Sequence, residues 1–238
     1  MSDEFSAEGP ILRHVEEAPA SGSVGDVELI EAVSAHVERH LGSGVEVFHQ
    51  VVSQWVHVDI LVVPPSEERP CITLVTCGMA EQAMNAPDND PALTHTELVM
   101  VFPPDWPIKE PRGMWPLTLL QDLAEIPHRF NTWLHIGHTV PNGDPAQPYA
   151  RKCPFTGVIL APTLLTPDEF EVLTVGEREI YFLGVVALHS DETDLKLAQG
   201  AGELFDRLDA AGVSEGLDVT RPNVADPKPR RFGFRRVA

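Results

Sequence analysis

Positive charge, cysteine and long apolar runs are all scarce in this sequence. Its 238 residues include 17 Lys or Arg against 36 Asp or Glu, which gives a formal net charge of -19 at pH 7. Lys and Arg neutralise phosphates in nucleic-acid binding and attract proteins to anionic membranes, so both functions are disfavoured. No apolar run reaches the roughly 18 residues that a membrane span needs, and residues 1–10 lack the apolar stretch of a signal peptide. We therefore expect a cytoplasmic protein.

Motifs for phosphate binding or nucleophilic catalysis are also missing. The sequence contains no G-x-x-x-x-G-K-[ST], no G-x-G-x-x-G and no G-x-S-x-G. Cys71 and Cys77 lie six residues apart in one predicted strand, about 20 Å at about 3.3 Å per residue, which is too far for a disulfide. We expect reduced structural thiols, although Arg151 and Lys152 could lower the pKa of Cys153 and make it reactive. No cofactor and no catalytic residue is predicted.

The length and the charge distribution predict one domain with two tails. A chain of 238 residues with 43% hydrophobic residues can bury one sizeable core. Residues 1–25, rich in Ser, Gly, Ala, Pro and Glu, are expected to be a disordered arm, and residues 26–220 the domain. Residues 221–238 hold six basic residues and one acidic residue, or +5, which leaves 11 minus 35, or -24, for the preceding 220 residues. This tail either docks loosely on its own acidic body or contacts a small anion or partner.

Three segments have helical periodicity. The first is capped by Asp26 and ends at Gly42, and the second opens at Trp115-Pro116 and is interrupted by Pro127. The third starts at Ser190 or Asp191 and ends at Gly212.

Seven segments have the β-branched composition and turn-residue boundaries of strands. They are residues 45–52, 55–63, 71–76, 96–102, 156–161, 171–175 and 179–189. Because strands and helices do not alternate, the order predicts an α+β fold with a mixed or antiparallel sheet of about six to eight strands flanked by helices.

His57 and Asp59 are two residues apart in a predicted strand, so their side chains share one face. They could form a structural hydrogen-bonded pair, part of a partner-binding patch, or a general base with its orienting carboxylate. Val56, Val58, Ile60 and Val62 lie on the opposite face and indicate that this face is buried. The structural pair is favoured because nothing nearby completes a catalytic or metal site.

The densest group of imidazoles is His128, His135 and His138, followed by Asp144. Together with Asp144 or Asp59 they could form a metal-dependent hydrolase, but no H-E-x-x-H motif is present and Gly137 weakens helical continuity. The alternative is a loop, residues 137–148, whose histidines cap backbone groups.

Large adaptable side chains between residues 78 and 115 suit a protein interface. Met79 and Met84 lie in a segment dense in Pro, Asn and Asp, so we expect them at the surface, and the excursion over residues 79–91 is the first place to look for contact. The residues that we expect to contact a partner are His57, Asp59, Met79, Met84, Trp106 and His138.

An ordered set of short segments carries a resemblance to a known family. They are residues 57–65, 73–79, 97–107, 115–116, 137–139, 141–145, 180–188, 194–200 and 221–224. From about Val27 to about Val224 the sequence resembles the single-domain, bacterial branch of the Suppressor of fused domain family. The resemblance implies a compact domain like the N-terminal domain of Suppressor of fused, without catalytic activity. The animal relative has two domains and holds a transcription factor; since this chain has one, that role and the peptide clamp are not carried over.

The resemblance also implies a non-enzymatic protein-binding module. Similar bacterial domains have been proposed as immunity proteins that neutralise polymorphic toxins, and an acidic body would complement the basic cleft of a toxin that attacks nucleic acid. The acidity could equally serve only solubility. The remaining alternatives are the metal-dependent hydrolase of His128, His135 and His138 and, last, a regulator that binds nucleic acid through its tail.

Overall fold

The computed structural model describes residues 5–11, 25–50, 54–87 and 90–225. Its helices are α1 (Val27–Leu41), α2 (Trp115–Arg129), α3 (Ser190–Gln199) and α4 (Ala201–Ala210). Its strands are β1 (Phe5–Ser6), β2 (Gly9–Pro10), β3 (Glu46–Phe48), β4 (Asp59–Val63), β5 (Ile72–Cys77), β6 (Thr96–Phe102), β7 (Thr139–Pro141), β8 (Gly157–Pro162), β9 (Val172–Val175) and β10 (Arg178–Leu188). Single 3-10 turns span Met79–Glu81, Pro91–Leu93 and Asp168–Phe170.

Eight strands form one mixed sheet in the order β3-β4-β5-β6-β10-β8-β7, with β9 paired to β10. β6 and β10 run parallel, and the other neighbours are antiparallel. β10 pairs with β6 along one edge and with β8 and β9 along the other. The N–H groups of consecutive strand residues point to opposite edges, and Tyr181 N–H donates to His95 O before β6 whereas Phe182 N–H donates to Glu171 O before β9. The sheet and its four helices confirm the predicted α+β class.

Helices cover both faces of this sheet. Alternate residues of β10 show the arrangement: Phe182 packs with α1, whereas Leu183 and Val185 pack in the cluster that includes α2. Val186 lies on the same face of the sheet as Phe182, but farther along β10, where α3 and α4 cover that face instead of α1. The central strands are therefore buried on both sides, and each fully buried Leu, Val, Ile or Phe contributes about 1.5–3 kcal/mol.

Helix α1 has the ends that its sequence predicts. The side chain of Asp26 accepts a hydrogen bond from Leu29 N–H at 3.2 Å, and Gly42 follows the last turn with φ +132°. A positive φ of this kind favours glycine. The helix buries Leu29, Val33 and Val37 against the sheet.

Several predicted boundaries were wrong, including the strand predicted over residues 55–63, which begins only at Asp59. The last helix is two helices, because Gly200 at φ +94° breaks it between α3 and α4. Helix α2 continues through Pro127 to Arg129, since a proline in the last turn removes only one hydrogen bond of the helix. β7 forms inside the segment expected to be a loop, through pairing with β8 that its own sequence does not reveal.

Part of each predicted tail belongs to the described structure. Residues 5–11 form a hairpin. The hairpin is bonded to α3, since Ala7 N–H donates to Leu197 O. Residues 221–225 pack into the domain, and Arg221 is 9% exposed. The remainder of the predicted arm (1–4 and 12–24) and of the predicted tail (226–238) lies outside the described residues. Within the described ranges, no helix is long and apolar enough to cross a bilayer.

Candidate functional site

Asp59, the first residue of β4, is the centre of a polar cluster at one end of the sheet. Its carboxylate accepts hydrogen bonds from His49 Nδ1 at 2.9 Å and from Gln50 N–H at 3.0 Å, and His57 Nε2 lies 3.1 Å away. The close pairing of His57 with Asp59 is therefore present. Asp59 is nearly buried, whereas the side chain of His49 is 72% exposed, so the cluster opens to solvent.

Gln50 links this cluster to helix α2. Its Oε1 accepts from Val58 N–H at 2.9 Å, and its Nε2 donates to Glu125 Oε1 at 2.7 Å. Burial raises the pKa of Glu125, and the bond from Gln50 opposes that rise. The contacts of the Asp59 cluster thus hold β4, the segment after β3 and α2 together, which is a structural role.

Glu97 is a second buried carboxylate, in the middle of the sheet. Its Oε1 accepts from Gly78 N–H at 2.9 Å and from Ala80 N–H at 3.0 Å, and its Oε2 accepts from the hydroxyl of Thr76. That hydroxyl accepts in turn from Leu98 N–H. Burial raises the pKa of Glu97, and the hydrogen bonds from Thr76 and the backbone oppose the rise. Glu97 therefore organises the turn after β5.

Gly78 makes that turn possible. Its φ is +124°, and a Cβ at this position would lie 2.1 Å from the carbonyl oxygen of His57. Only glycine allows β5 to turn so close to the start of β4. The sequence around residue 78 is thus explained by packing of the backbone and needs no ligand.

The expectation that Met79 and Met84 lie at the surface was wrong. Met79 is 0% exposed and Met84 is 4% exposed, and both pack in the core. Met79 lies in the turn held by Glu97, and Met84 is fixed by its own N–H, which donates to Thr94 O at 2.7 Å. Trp106 is half-buried in the same core, and its Nε1 donates to Gly113 O at 3.0 Å. The first two side chains are not accessible to a partner in this structure.

The three histidines of the alternative hypothesis do not converge on a metal site. His128 Nε2 donates to Met79 O at 3.0 Å, and burial lowers the pKa of this imidazole to about 4. Burial also lowers the pKa of His135 and of His138, whose ring lies edge-on to Trp133. In the part of the chain that the structure describes, no three His, Cys, Asp or Glu side chains are placed to hold a metal ion.

None of the three thiols is joined in a disulfide, and two of them are buried. Burial raises the pKa of Cys77 and of Cys153. The suggestion that neighbouring basic residues lower the pKa of Cys153 was therefore wrong, since Arg151 and Lys152 are exposed and do not offset burial.

Strand β3 forms one end of the sheet, and its three side chains are all exposed. Val47 is 44% and Phe48 is 36% exposed, which is unusual for residues in a sheet covered on both faces. The outer edge of β3 has no paired strand among the described residues. An unpaired edge presents backbone N–H and C=O groups to which another chain can add.

A second apolar surface lies beside helix α4. We call it the α4 groove, and it has a volume of about 280 Å³. Its apolar lining includes Ile136, Ala161, Leu164, Phe205, Leu208 and Val213. Asp209 stands at its rim, and the side chain of Leu164 is 63% exposed.

Glu215 fixes the loop that carries one wall of this groove. Its Oε1 accepts from Leu164 N–H at 2.8 Å and from Leu165 N–H at 2.7 Å. Its Oε2 is buried and has no hydrogen-bond partner among the described residues. The exposed leucines are therefore held in place by a buried carboxylate.

Arg221, which was predicted to lie in the basic tail, is paired inside the fold. Its guanidinium donates to both carboxylate oxygens of Glu192, and it also lies 4.9 Å from the ring centroid of Phe155. Although burial raises the pKa of Glu192, Arg221 and two backbone N–H groups lower it, and the net direction is downward. This pair fixes residues 221–225 beside α3 and α4.

Three buried carboxylates, those of Glu97, Glu215 and Glu192, were not predicted from the sequence. Glu97 had a usable signal, because a glutamate inside the apolar run of β6 is rarely buried without partners. Glu215 had none, since its partners are about 50 residues away in the sequence. Glu192 had a local signal as the third residue of α3, where its carboxylate accepts from His189 N–H at 2.9 Å, but its pairing with Arg221 could not be read from the sequence. The α4 groove depends on the position of α4 against β8 and could not be inferred from periodicity.

Solved structures of other proteins share this fold. A SUFU (Suppressor of fused protein) homolog from Neisseria gonorrhoeae matches with a TM-score of 0.63 and 15% identity, over 84% of this chain and 98% of that chain. A chain of the Sufu–Fu complex matches with a TM-score of 0.57 and 13% identity, over 87% and 93% of the two chains. Drosophila Suppressor of Fused matches at 0.53 and 12% identity over 82% of this chain, which spans 48% of the Drosophila chain.

These identities establish the fold alone, and no curated protein matches the sequence. The family model described as Suppressor of fused protein (SUFU) matches residues 54–222, which is more than half of the chain. The chain belongs to the Suppressor of fused family.

Proposed function

We propose that this chain is a non-enzymatic, cytoplasmic protein-binding module whose binding face is the outer edge of β3. The observation that carries the proposal is the exposure of Val47 and Phe48 on a strand with an open edge. A protein of the same fold has been crystallised as the Sufu–Fu complex, so the fold is compatible with binding another protein.

The other open edges of the sheet, those of β7 and β9, are less suitable for the addition of a strand. β7 contains Pro141, which has no N–H to donate to an added strand. β9 lies among acidic residues, with Glu171 before it and Glu177 after it. β3 has no proline and carries two exposed apolar side chains that an added strand would cover.

Charge favours a basic partner. The first 220 residues carry 11 basic and 35 acidic residues, or -24, and a field of this sign speeds encounter with a positively charged surface. A toxin with a basic, nucleic-acid-binding cleft has this property. The finer form of the proposal is that the chain is an immunity protein that neutralises such a toxin.

Affinity capture tests the proposal. The wild-type chain, Phe48→Glu and a matched control, Val172→Glu on β9, are used as baits in an extract of the source cells. We expect wild type and the control to retain a basic protein that Phe48→Glu loses. Loss with Val172→Glu instead would contradict the assignment to β3, and a partner with no toxic activity when expressed alone would contradict the immunity role.

A further inference from the structure

The α4 groove is an apolar surface that no described residue fills. An apolar cavity of about 150 Å³ can hold one benzene ring, so the 280 Å³ of this groove has room for about two phenyl rings. Its lining, with Phe205 and Leu208 on one wall and Leu164 on the other, suits aromatic side chains.

The outward-facing side of α4 is acidic. Asp206 and Asp209 are exposed, and Asp209 stands at the rim of the groove. The one basic residue of the helix, Arg207, is engaged by Glu203 Oε1 at 2.8 Å and by Ala225 O at 3.1 Å. An occupant that combines aromatic and basic side chains is therefore complementary to the groove and its rim.

The described chain ends beside helix α4, where Arg207 donates to the carbonyl oxygens of Val224 and Ala225. Val224 and Ala225 pack in the same apolar cluster as Phe205 and Val213. The remaining segment, residues 226–238, has the sequence Asp-Pro-Lys-Pro-Arg-Arg-Phe-Gly-Phe-Arg-Arg-Val-Ala. Its five basic residues and one acidic residue give +4, and two arginines flank Phe232-Gly233-Phe234 on each side.

The segment is long enough to reach the groove. The last described residue, Ala225, is bonded to α4 through Arg207, which donates to its carbonyl oxygen. Arg207 is two residues from both Phe205 and Asp209, or about 200° around the helix. Ala225 therefore lies on the flank of α4 opposite the groove. Passing around half of a helix about 11 Å wide takes about 17 Å. The seven residues from Ala225 to Phe232 span about 23 Å when extended.

We propose that residues 226–238 bind in the α4 groove of their own chain. Phe232 and Phe234, which lie on one side of an extended backbone, enter the groove, and the flanking arginines pair with Asp206 and Asp209. The basic end of an acidic chain is thereby held on its own body. This inference is independent of the proposed binding face on β3, because the two surfaces use different elements.

Photo-cross-linking of the full chain tests the position of the segment. Phe234 is replaced by p-benzoylphenylalanine, and the cross-linked peptides are mapped by mass spectrometry. We expect cross-links to α4, to the segment around Ile136 or to the loop of Leu164. Cross-links elsewhere on the domain would overturn the proposal. Cross-links between labelled and unlabelled molecules in a mixture would place the segment on a second copy and would overturn it equally.

Limited digestion with trypsin tests the charge pairing, because the arginines of the segment are its cleavage sites. The double variant Asp206→Asn/Asp209→Asn is expected to raise the cleavage rate between about twofold and 25-fold, since each exposed ion pair contributes a factor of roughly 1.5 to 5. The matched variant Glu38→Gln, on the exposed side of α1, should leave the rate unchanged. Equal rates in wild type and the double variant would contradict the proposal.

Discussion

Replacing Glu97 should destabilise the domain strongly. In Glu97→Ala, three buried donors lose their acceptor, namely Gly78 N–H, Ala80 N–H and the hydroxyl of Thr76. Each unsatisfied buried donor costs about 1–3 kcal/mol, so the total is about 3–9 kcal/mol. The free energy of unfolding of a whole domain is only about 5–15 kcal/mol, so this variant will be marginally stable or unfolded.

The isosteric variant Glu97→Gln separates the hydrogen bonds from the charge. Its amide oxygen still accepts from both N–H groups, and only the bond from Thr76 is lost, so we expect a cost of about 1–2 kcal/mol. Urea unfolding followed by Trp fluorescence measures these differences, with exposed Glu38→Ala as the control, expected within about 0.5 kcal/mol of wild type. The reasoning is refuted if Glu97→Ala costs no more than Glu38→Ala.

The raised pKa of Glu97 also predicts a pH dependence. A carboxyl group whose pKa is higher in the folded state stabilises the fold fully below its unfolded pKa of about 4.3, and this contribution is lost as pH rises through the folded pKa. The stability of wild type relative to Glu97→Gln should therefore fall with rising pH. A rise over the same range would show that the carboxylate is preferentially ionised in the fold.

Three further variants test other parts of the structure. Gly78→Ala, whose Cβ would meet His57 O at 2.1 Å, should cost at least about 3 kcal/mol by urea unfolding, whereas Gly176→Ala, with φ +61° and nothing within 4 Å, should cost only about 1–2 kcal/mol. Arg221→Ala leaves Glu192 buried without its cation and should lower stability by about 3–5 kcal/mol; an effect below 1 kcal/mol would contradict the buried pair. Glu215→Ala should speed hydrogen exchange of the Leu164 and Leu165 amides, and Glu215→Gln, which keeps the accepting oxygen, should restore slow exchange.

Local signals in the sequence predicted individual elements well. The strand Thr96–Phe102 was predicted at its observed bounds, and Asp26 and Gly42 marked the ends of α1. These features depend on neighbours in the sequence, such as a capping oxygen near Leu29 N–H or a glycine with positive φ. The same local information predicted that His57 and Asp59 lie together, and their side chains are 3.1 Å apart, although β4 begins only at Asp59 and His57 precedes it.

What the sequence did not reveal depends on partners far along the chain. The parallel pairing of β6 with β10 joins segments about 85 residues apart, and no periodicity specifies it. Polar neighbours made the segment of Met79 and Met84 resemble a surface loop. Its burial depends on hydrogen bonds to residues farther along the chain, from Gly78 N–H to Glu97 and from Met84 N–H to Thr94 O. The open edge of β3 became visible only with the order of the strands.

The central claim is that the outer edge of β3 binds another protein. It is tested most directly by capture from the source cells with wild-type chain and Phe48→Glu as parallel baits, after both are shown to unfold at the same urea concentration. We predict one basic protein that wild type retains in near-stoichiometric amount and Phe48→Glu does not. Equal retention by both baits, or no protein retained by wild type, would contradict the claim.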